Sequence, residues 1–132
     1  MAYWLMKSEP SSYGWDDLVR DCKTEWDGVR NNAARLHLRA MKVGDEAFLY
    51  HSMSDKAVVG IMRLSRGPVP DPRDPAWISV EVEPVRALRP VTLAAIKAEP
   101  KLAAMELIRQ SRLSVAPVRA AEWNQVLAMA RE

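Results

Sequence analysis

The sequence predicts an α+β domain, a small twisted β-barrel or curved sheet of five or six short strands with helices packed around it. Three observations lead there. Short apolar runs of strand type recur along the chain, separated by segments with helical spacing. The strands are too few and too irregular for a doubly wound parallel sheet. A chain of 132 residues, 48% of them hydrophobic, can bury about two-thirds of its unfolded surface in one core, so a single domain over 1–132 is expected.

Tyr3 to Met6 is aromatic and apolar and ends in Lys7-Ser8-Glu9-Pro10, a strand running into a turn. A serine at 11 or 12, then Asp16 and Asp17 among Trp15, Leu18 and Val19, predicts one or two serine-capped helical turns. Asp21 to Arg30 is polar apart from Trp26 and Val29 and contains Asp27-Gly28, so it reads as a loop presenting one large aromatic. Asn31 is placed to cap a helix through about Met41, with Ala34, Leu38 and Met41 on one face. After Gly44-Asp45, the runs Ala47 to Tyr50 and Val58 to Met62 form a hairpin that turns over His51 to Lys56. Four prolines between Gly67 and Pro75 predict an exposed connector rather than a strand. Ile78, Val80 and Val82 alternate with Trp77, Ser79, Glu81 and Glu83 in a half-buried strand whose register shifts at Pro84. Thr92 caps a further helix, Pro100 opens another to about Gln110, and Leu113 to Val118 is a short strand. Trp123, Val126, Leu127 and Ala130 make the apolar stripe of a closing helix. Trp4, Trp15, Trp77 and Trp123 sit in periodic contexts and are expected in the core.

Composition excludes several function classes. The single Cys22 cannot form an internal disulfide, which points to a reducing cytoplasm. His37 and His51 have no metal-ligand spacing around them, and no GxGxxG, Walker or GxSxG motif occurs. Neither metal nor cofactor is expected. No apolar run is long enough to span a bilayer, and the start shows no basic segment followed by a hydrophobic one; a monomer away from membranes is expected. The 19 basic and 17 acidic residues balance as six and six over 1–40, seven and seven over 41–90, and six and four over 91–132. A nucleic-acid partner would therefore have to be held by a local patch and a shaped pocket rather than by net attraction.

Four places could carry chemistry. Pro10 lacks an amide proton and restricts Glu9 to extended conformations, which fixes Ser8 and Glu9 at a strand end; the same residues could simply start the next helix. Trp26, between Glu25 and Asp27-Gly28, is either tucked into the core or offered to a flat ligand. Tyr50-His51-Ser52 and Gln110-Ser111-Arg112 set hydrogen-bonding groups beside apolar residues, as pocket or as solvated turns, and Arg112 could pair with a phosphate or a carboxylate. Cys22 has no partner arrangement for nucleophilic catalysis.

YWLMKSEP at the start, WDGVRN at 26–31, YHS at 50–52, VVGI at 58–61, the Asp-Pro pairs before Trp77 and RQSRLSV at 109–115 together resemble the EVE domain family. The match runs nearly end to end in order. It implies a PUA-like fold, and recognition of modified bases in DNA or RNA, since EVE domains are similar in turn to the YTH readers of methylated adenine. By that resemblance Trp26 walls a base pocket that also contains Ser8, Glu9, Pro10, Val29, Asn31, Tyr50, His51, Ser52 and Arg112; Lys7, Arg30 and Arg35 are the candidates for the flanking phosphates. Family members often carry an aromatic after the asparagine of WDGVRN, whereas Asn32 is followed here by two alanines. The expected function is thus a non-catalytic reader of a modified base. The alternatives are an amidohydrolase of the related ASCH kind, with Lys7 and Glu9 as base and proton shuttle, and a small-ligand or protein-interaction module.

Overall fold

The computed structural model describes residues 2–53 and 55–131. Twelve elements follow one another: β1 (Tyr3–Ser8), α1 (Trp15–Asp21), β2 (Thr24–Trp26), α2 (Asn32–Ala40), β3 (Glu46–His51), β4 (Ala57–Asp71), β5 (Asp74–Thr92), α3 (Leu93–Ala98), a 3₁₀ turn (Pro100–Leu102), α4 (Glu106–Arg109), β6 (Val115–Val118) and α5 (Ala120–Ala130). No helix among the described residues is long and apolar enough to cross a membrane.

The strands form one mixed sheet in the order β2-β5-β4-β3-β1-β6. β1 runs parallel to β3, and every other neighbouring pair is antiparallel. The fold is the expected α+β one, with six strands, although β2 and β6 remain edges and the sheet does not close into a barrel. Register shifts along the β4–β5 pair bend the two long strands.

Both faces of the sheet are covered, because alternate residues of each strand serve different cores. Trp4 and Met6 of β1, with Ala47 and Leu49 of β3, join Leu18 of α1 and Ala34 and Leu38 of α2 on one face. Leu5, Phe48 and Tyr50 meet Ile96, Leu107, Trp123 and Val126 on the other. There the Trp123 indole stacks on Phe48 at 3.8 Å and on Tyr3 at 4.4 Å between ring centroids.

Asn31 and Thr92 cap their helices as expected, accepting from the amides of Ala34 and Ala95. Several local expectations change. The first helix starts at Gly14, not at a serine, because the Asp17 carboxylate reaches back to accept the Gly14 N–H at 2.8 Å. Thr24–Trp26 is a strand, not loop: it pairs with Val80–Val82 of β5, and the polar look of Thr24 and Glu25 suits a short edge. The proline-rich stretch is no loose connector. Gly67–Asp71 continues β4 and pairs with β5 through Val69↔Ser79 and Pro70↔Ile78. Beyond Arg63 the β3 partner has ended, so β4 has a single neighbour there, an edge that tolerates proline. Trp77 also leaves the expected core. It is half-buried, with the Arg30 and Arg35 guanidinium carbons 5.6 and 5.0 Å from its ring centre.

His51 has a structural post at the end of β3. Its Nε2 accepts the Trp15 backbone N–H at 3.1 Å, which leaves the proton on Nδ1 to be donated to Asp55 at 2.9 Å. Replacing His51 by alanine would orphan the first amide of α1. The expected loss is about 1–3 kcal/mol, read from the urea midpoint; an unchanged midpoint would show that water takes over the bond.

Candidate functional site

β1 delivers Lys7 and Ser8 to one end of the sheet, and β2 delivers Glu25 and Trp26 to the same end from the far edge. Between them opens a cleft of about 610 Å³, lined by Lys7, Ser8 and Ser114, by the Ser12–Tyr13 turn, by Thr24 to Arg30 and by Arg73 from the β4–β5 hairpin tip. Trp26 is half-buried, packed against the first core on one side and lining the cleft on another. The ring is thus part core and part cleft wall.

The wall after Trp26 is held by one carboxylate. The Asp71 side chain is wholly buried and accepts the backbone N–H groups of Gly28 (2.9 Å) and Arg73 (2.7 Å) and Nη1 of Arg30 (3.0 Å). Burial alone would push this carboxyl up, but those bonds and the Arg30 charge outweigh it and leave its pKa below the ordinary value. A second tie crosses back, from Arg73 Nε to Asp27 at 3.4 Å. Gly28 takes φ +77° at this bend, a left-handed conformation that favours glycine.

Inside the cleft the charges are mixed. Glu25 accepts two bonds from Arg66 and one from the Ser79 hydroxyl. Arg66 holds its carboxyl below the usual range, against burial and with help from Ser79. Lys7 Nζ donates to the Ser111 carbonyl at 2.7 Å, and burial draws its pKa down. The Ser8 hydroxyl donates to the Tyr13 carbonyl at 2.7 Å, so its proton is engaged in the turn. Tyr13 in turn donates to Asp21 at 2.9 Å. The cleft thus offers a flat aromatic wall, carboxylate acceptors and a cationic rim. Among the described residues no group of three His, Cys, Asp or Glu side chains comes together as a metal-ligand set.

The residues singled out in the sequence divide. Ser8, Trp26 and Val29, with Lys7 and Arg30, line the cleft. Asn31 and Arg112 line a separate hollow. Tyr50 is buried in the second core and His51 anchors α1. Glu9 is exposed, and its backbone carbonyl accepts from the amides of Ser12 and Tyr13. Pro10 and Ser52 are half-buried outside the cleft lining, Ser52 donating its N–H to the Ser8 carbonyl at 2.9 Å. Arg35 lies away from the cleft, bonded to the Ala76 carbonyl at 3.1 Å beside Trp77. Sequence reasoning missed Glu25, Asp27, Asp71 and Arg73. The available signal is the Asp71-Pro72-Arg73-Asp74-Pro75 run, whose charges also suit an exposed connector.

The EVE domain model matches residues 2–129. The chain belongs to the EVE domain family. Mouse thymocyte nuclear protein 1 is 35% identical over 96% of this chain and 73% of its own length. Among solved structures, the protein Rpa0253 from Rhodopseudomonas palustris is 48% identical, with a TM-score of 0.95 over 99% of this chain and 94% of the other. Human THYN1 protein, solved in complex with DNA containing 5-methylcytosine, is 32% identical, with a TM-score of 0.87 over 100% of this chain and 99% of the other. The PUA-like fold expected of an EVE domain is the fold described above, with Lys7-Ser8 and Trp26-Asp27-Gly28, both within motifs that pointed to the family, facing one cleft.

Proposed function

We propose that this EVE domain binds a nucleic-acid strand and holds one modified base, turned out of its stack, against Trp26. The observation that carries the reading is a half-buried indole lining a cleft of about 610 Å³ together with two carboxylates and three cations, a volume within the range of small-molecule sites. The human THYN1 complex with 5-methylcytosine DNA, at TM-score 0.87, supports the choice of ligand class. DNA and RNA both fit it, and an aqueous, reducing compartment such as the cytoplasm is part of the same reading.

Glu25 and Asp27 are hydrogen-bond acceptors only, so the base they suit bears an exocyclic amino group, as cytosine and adenine do. Val29 adds apolar surface, Ser8 is a further polar lining residue, and Lys7, Arg30 and Arg73 stand at the rim for phosphates. Extracting a base costs a few kcal/mol, and stacking on one aromatic returns about 1–3 kcal/mol, so the ring alone roughly breaks even. Edge hydrogen bonds and phosphate contacts must supply the net affinity. A buried methyl adds only about 0.8 kcal/mol, so discrimination also needs a void or an unmet polar group left by the bare base. Binding is preferred over hydrolysis because the hydrolytic alternative requires Lys7 and Glu9 on one substrate, and Glu9 stands exposed outside the cleft lining.

Trp26→Ala is expected to weaken binding of a 5-methylcytosine oligonucleotide about 5- to 150-fold, measured by fluorescence anisotropy. Trp26→Phe, which keeps a ring against the core, should recover part of the loss. Unchanged affinity in a folded Trp26→Ala protein would move the base elsewhere.

A further inference from the structure

A second hollow, of about 400 Å³, lies beside the Trp26 cleft and contains Asn31, Arg109, Gln110, Ser111 and Arg112 among its lining residues. Its chemistry differs from the cleft's. The cleft sets Glu25 and Asp27 among its cations, whereas the hollow has two arginines and no acid in its lining. Arg109 leans on Glu106 at 3.6 Å. Arg112 is exposed and has no ion pair or side-chain hydrogen bond among the described residues. Asn31 spends its side-chain oxygen on the Ala34 amide at 2.9 Å, which leaves its amino group as a free donor. Gln110 donates its side-chain amide to the same Glu106, so the donors left open here among the described residues are chiefly the Arg112 guanidinium and the Asn31 amino group, which suit an anion with several oxygens that arginine can grip through two bonds.

The hollow and the cleft share their walls. Val29 and Arg30 face the cleft and the next residue, Asn31, faces the hollow; Ser114 lines the cleft and Leu113 the hollow. Lys7, a cleft residue, is tied to the Ser111 carbonyl of the hollow. Nearby cations are already engaged: Arg30 by Asp71, Arg73 by Asp27, and Arg35 by the Ala76 carbonyl. Arg112, like Lys7 across the wall, has no acidic partner among the described residues, whereas Arg30 and Arg73 at the cleft rim do.

We propose that this hollow is a separate subsite that takes the backbone phosphate of a nucleotide adjoining the base held at Trp26. The proposal rests on the base-binding reading above and adds a direction to it, because a strand that fills both sites must cross the wall at Arg30–Asn31. The domain then reads a base together with its neighbour's backbone, rather than a base alone.

The test compares three ligands against the wild type, Arg112→Ala, Arg112→Lys and Trp26→Ala: 5-methyldeoxycytidine without phosphate, a five-nucleotide strand with 5-methylcytosine at its centre, and inorganic phosphate. The expected result is that Arg112→Ala leaves nucleoside binding unchanged, weakens the strand about tenfold and lowers the salt slope by about one, with Arg112→Lys in between. Wild-type affinity and slope for the strand in Arg112→Ala overturn the subsite. Phosphate binding that depends on Arg112, with no effect of Arg112→Ala on the strand, also overturns it and leaves a free-phosphate site. Nucleoside binding that survives Trp26→Ala counts against the cleft reading by itself, so the two failures are distinguishable.

Discussion

Asp71→Ala is expected to lower stability by about 2–4 kcal/mol at neutral pH and to loosen the wall that follows Trp26. The carboxylate is wholly buried and satisfies two backbone amides and one guanidinium. Removing it orphans the Gly28 and Arg73 N–H groups and leaves Arg30 without its partner, and each unmet buried donor costs more than the bond it lost is worth on average. Asp71→Asn keeps an acceptor for one amide but no charge for Arg30, so its loss should be smaller. The pH dependence has a definite sign. The folded carboxyl titrates below its ordinary value of 3.8, so its contribution is complete above that pH and is lost as the pH falls through the folded pKa. Wild type and Asp71→Ala should therefore differ most at pH 7 and converge toward pH 2 in urea titrations. A constant gap would mean that the side chain acts by shape and not by charge. Binding of a modified oligonucleotide should fall as well, since Gly28 and Arg30 are cleft residues.

Gly60→Val should be nearly as costly, for a steric reason. A Cβ at Gly60 would lie 2.4 Å from Cζ3 and 2.5 Å from Cε3 of Trp15, inside van der Waals contact with a ring packed against the first core. The strand cannot retreat, because β4 is paired there on both sides, with Leu49 and with Ala87. The ring must move and tilt α1 off the sheet, a strain of about 1–3 kcal/mol for alanine and at or above the upper end for valine. The check is a double-mutant cycle with Trp15→Ala, in which the smaller residue should recover part of the valine's cost. Additive losses would place the strain elsewhere. Tyr13 and Ser12, just before α1, line the cleft, so Gly60→Val should also weaken binding.

The features legible in the sequence are those whose cause is local. Asn31 and Thr92 cap because their side chains reach amides three residues on, and the stripe through Trp123 and Val126 needs only a helix's own period. The alternation Ile78-Val80-Val82 likewise marks a strand by itself, and Val80 and Val82 are fully buried. What was hidden depends on partners far along the chain. Nothing in Thr24-Glu25-Trp26 announces a strand until Val80–Val82 is beside it. Asp71 looks like one more charge among prolines until Gly28 and Arg30, 43 and 41 residues earlier, turn toward it. Trp77 belongs to a periodic strand but shares its odd positions with Ser79, Glu81 and Glu83 rather than with Ile78, Val80 and Val82; Arg30 and Arg35 cover its indole as aliphatic chains do while keeping their charge in water. At the candidate site the family motifs located Trp26 and Lys7-Ser8, whereas Tyr50 and His51 sit beside them in the resemblance but point to core and helix anchor in space. Tyr50 and His51 lie on β3, which is paired on both sides, with β1 and β4, and both residues are buried there, so neither lines the cleft.

The parallel pairing of β1 with β3 has a consequence for how the protein is made. Tyr3 to Ser8 precedes every other strand of the domain in sequence, yet it ends up in the interior of the sheet, with Glu46 to His51 on one flank and Val115 to Val118 on the other. Its second flank stays bare until Val115 to Val118, the last strand of the domain, has been translated. Folding must therefore wait on contacts of very long sequence separation, which makes it slow, and during synthesis the nascent Trp4-Leu5-Met6 segment is an open, sticky ribbon that a holding chaperone would have reason to cover.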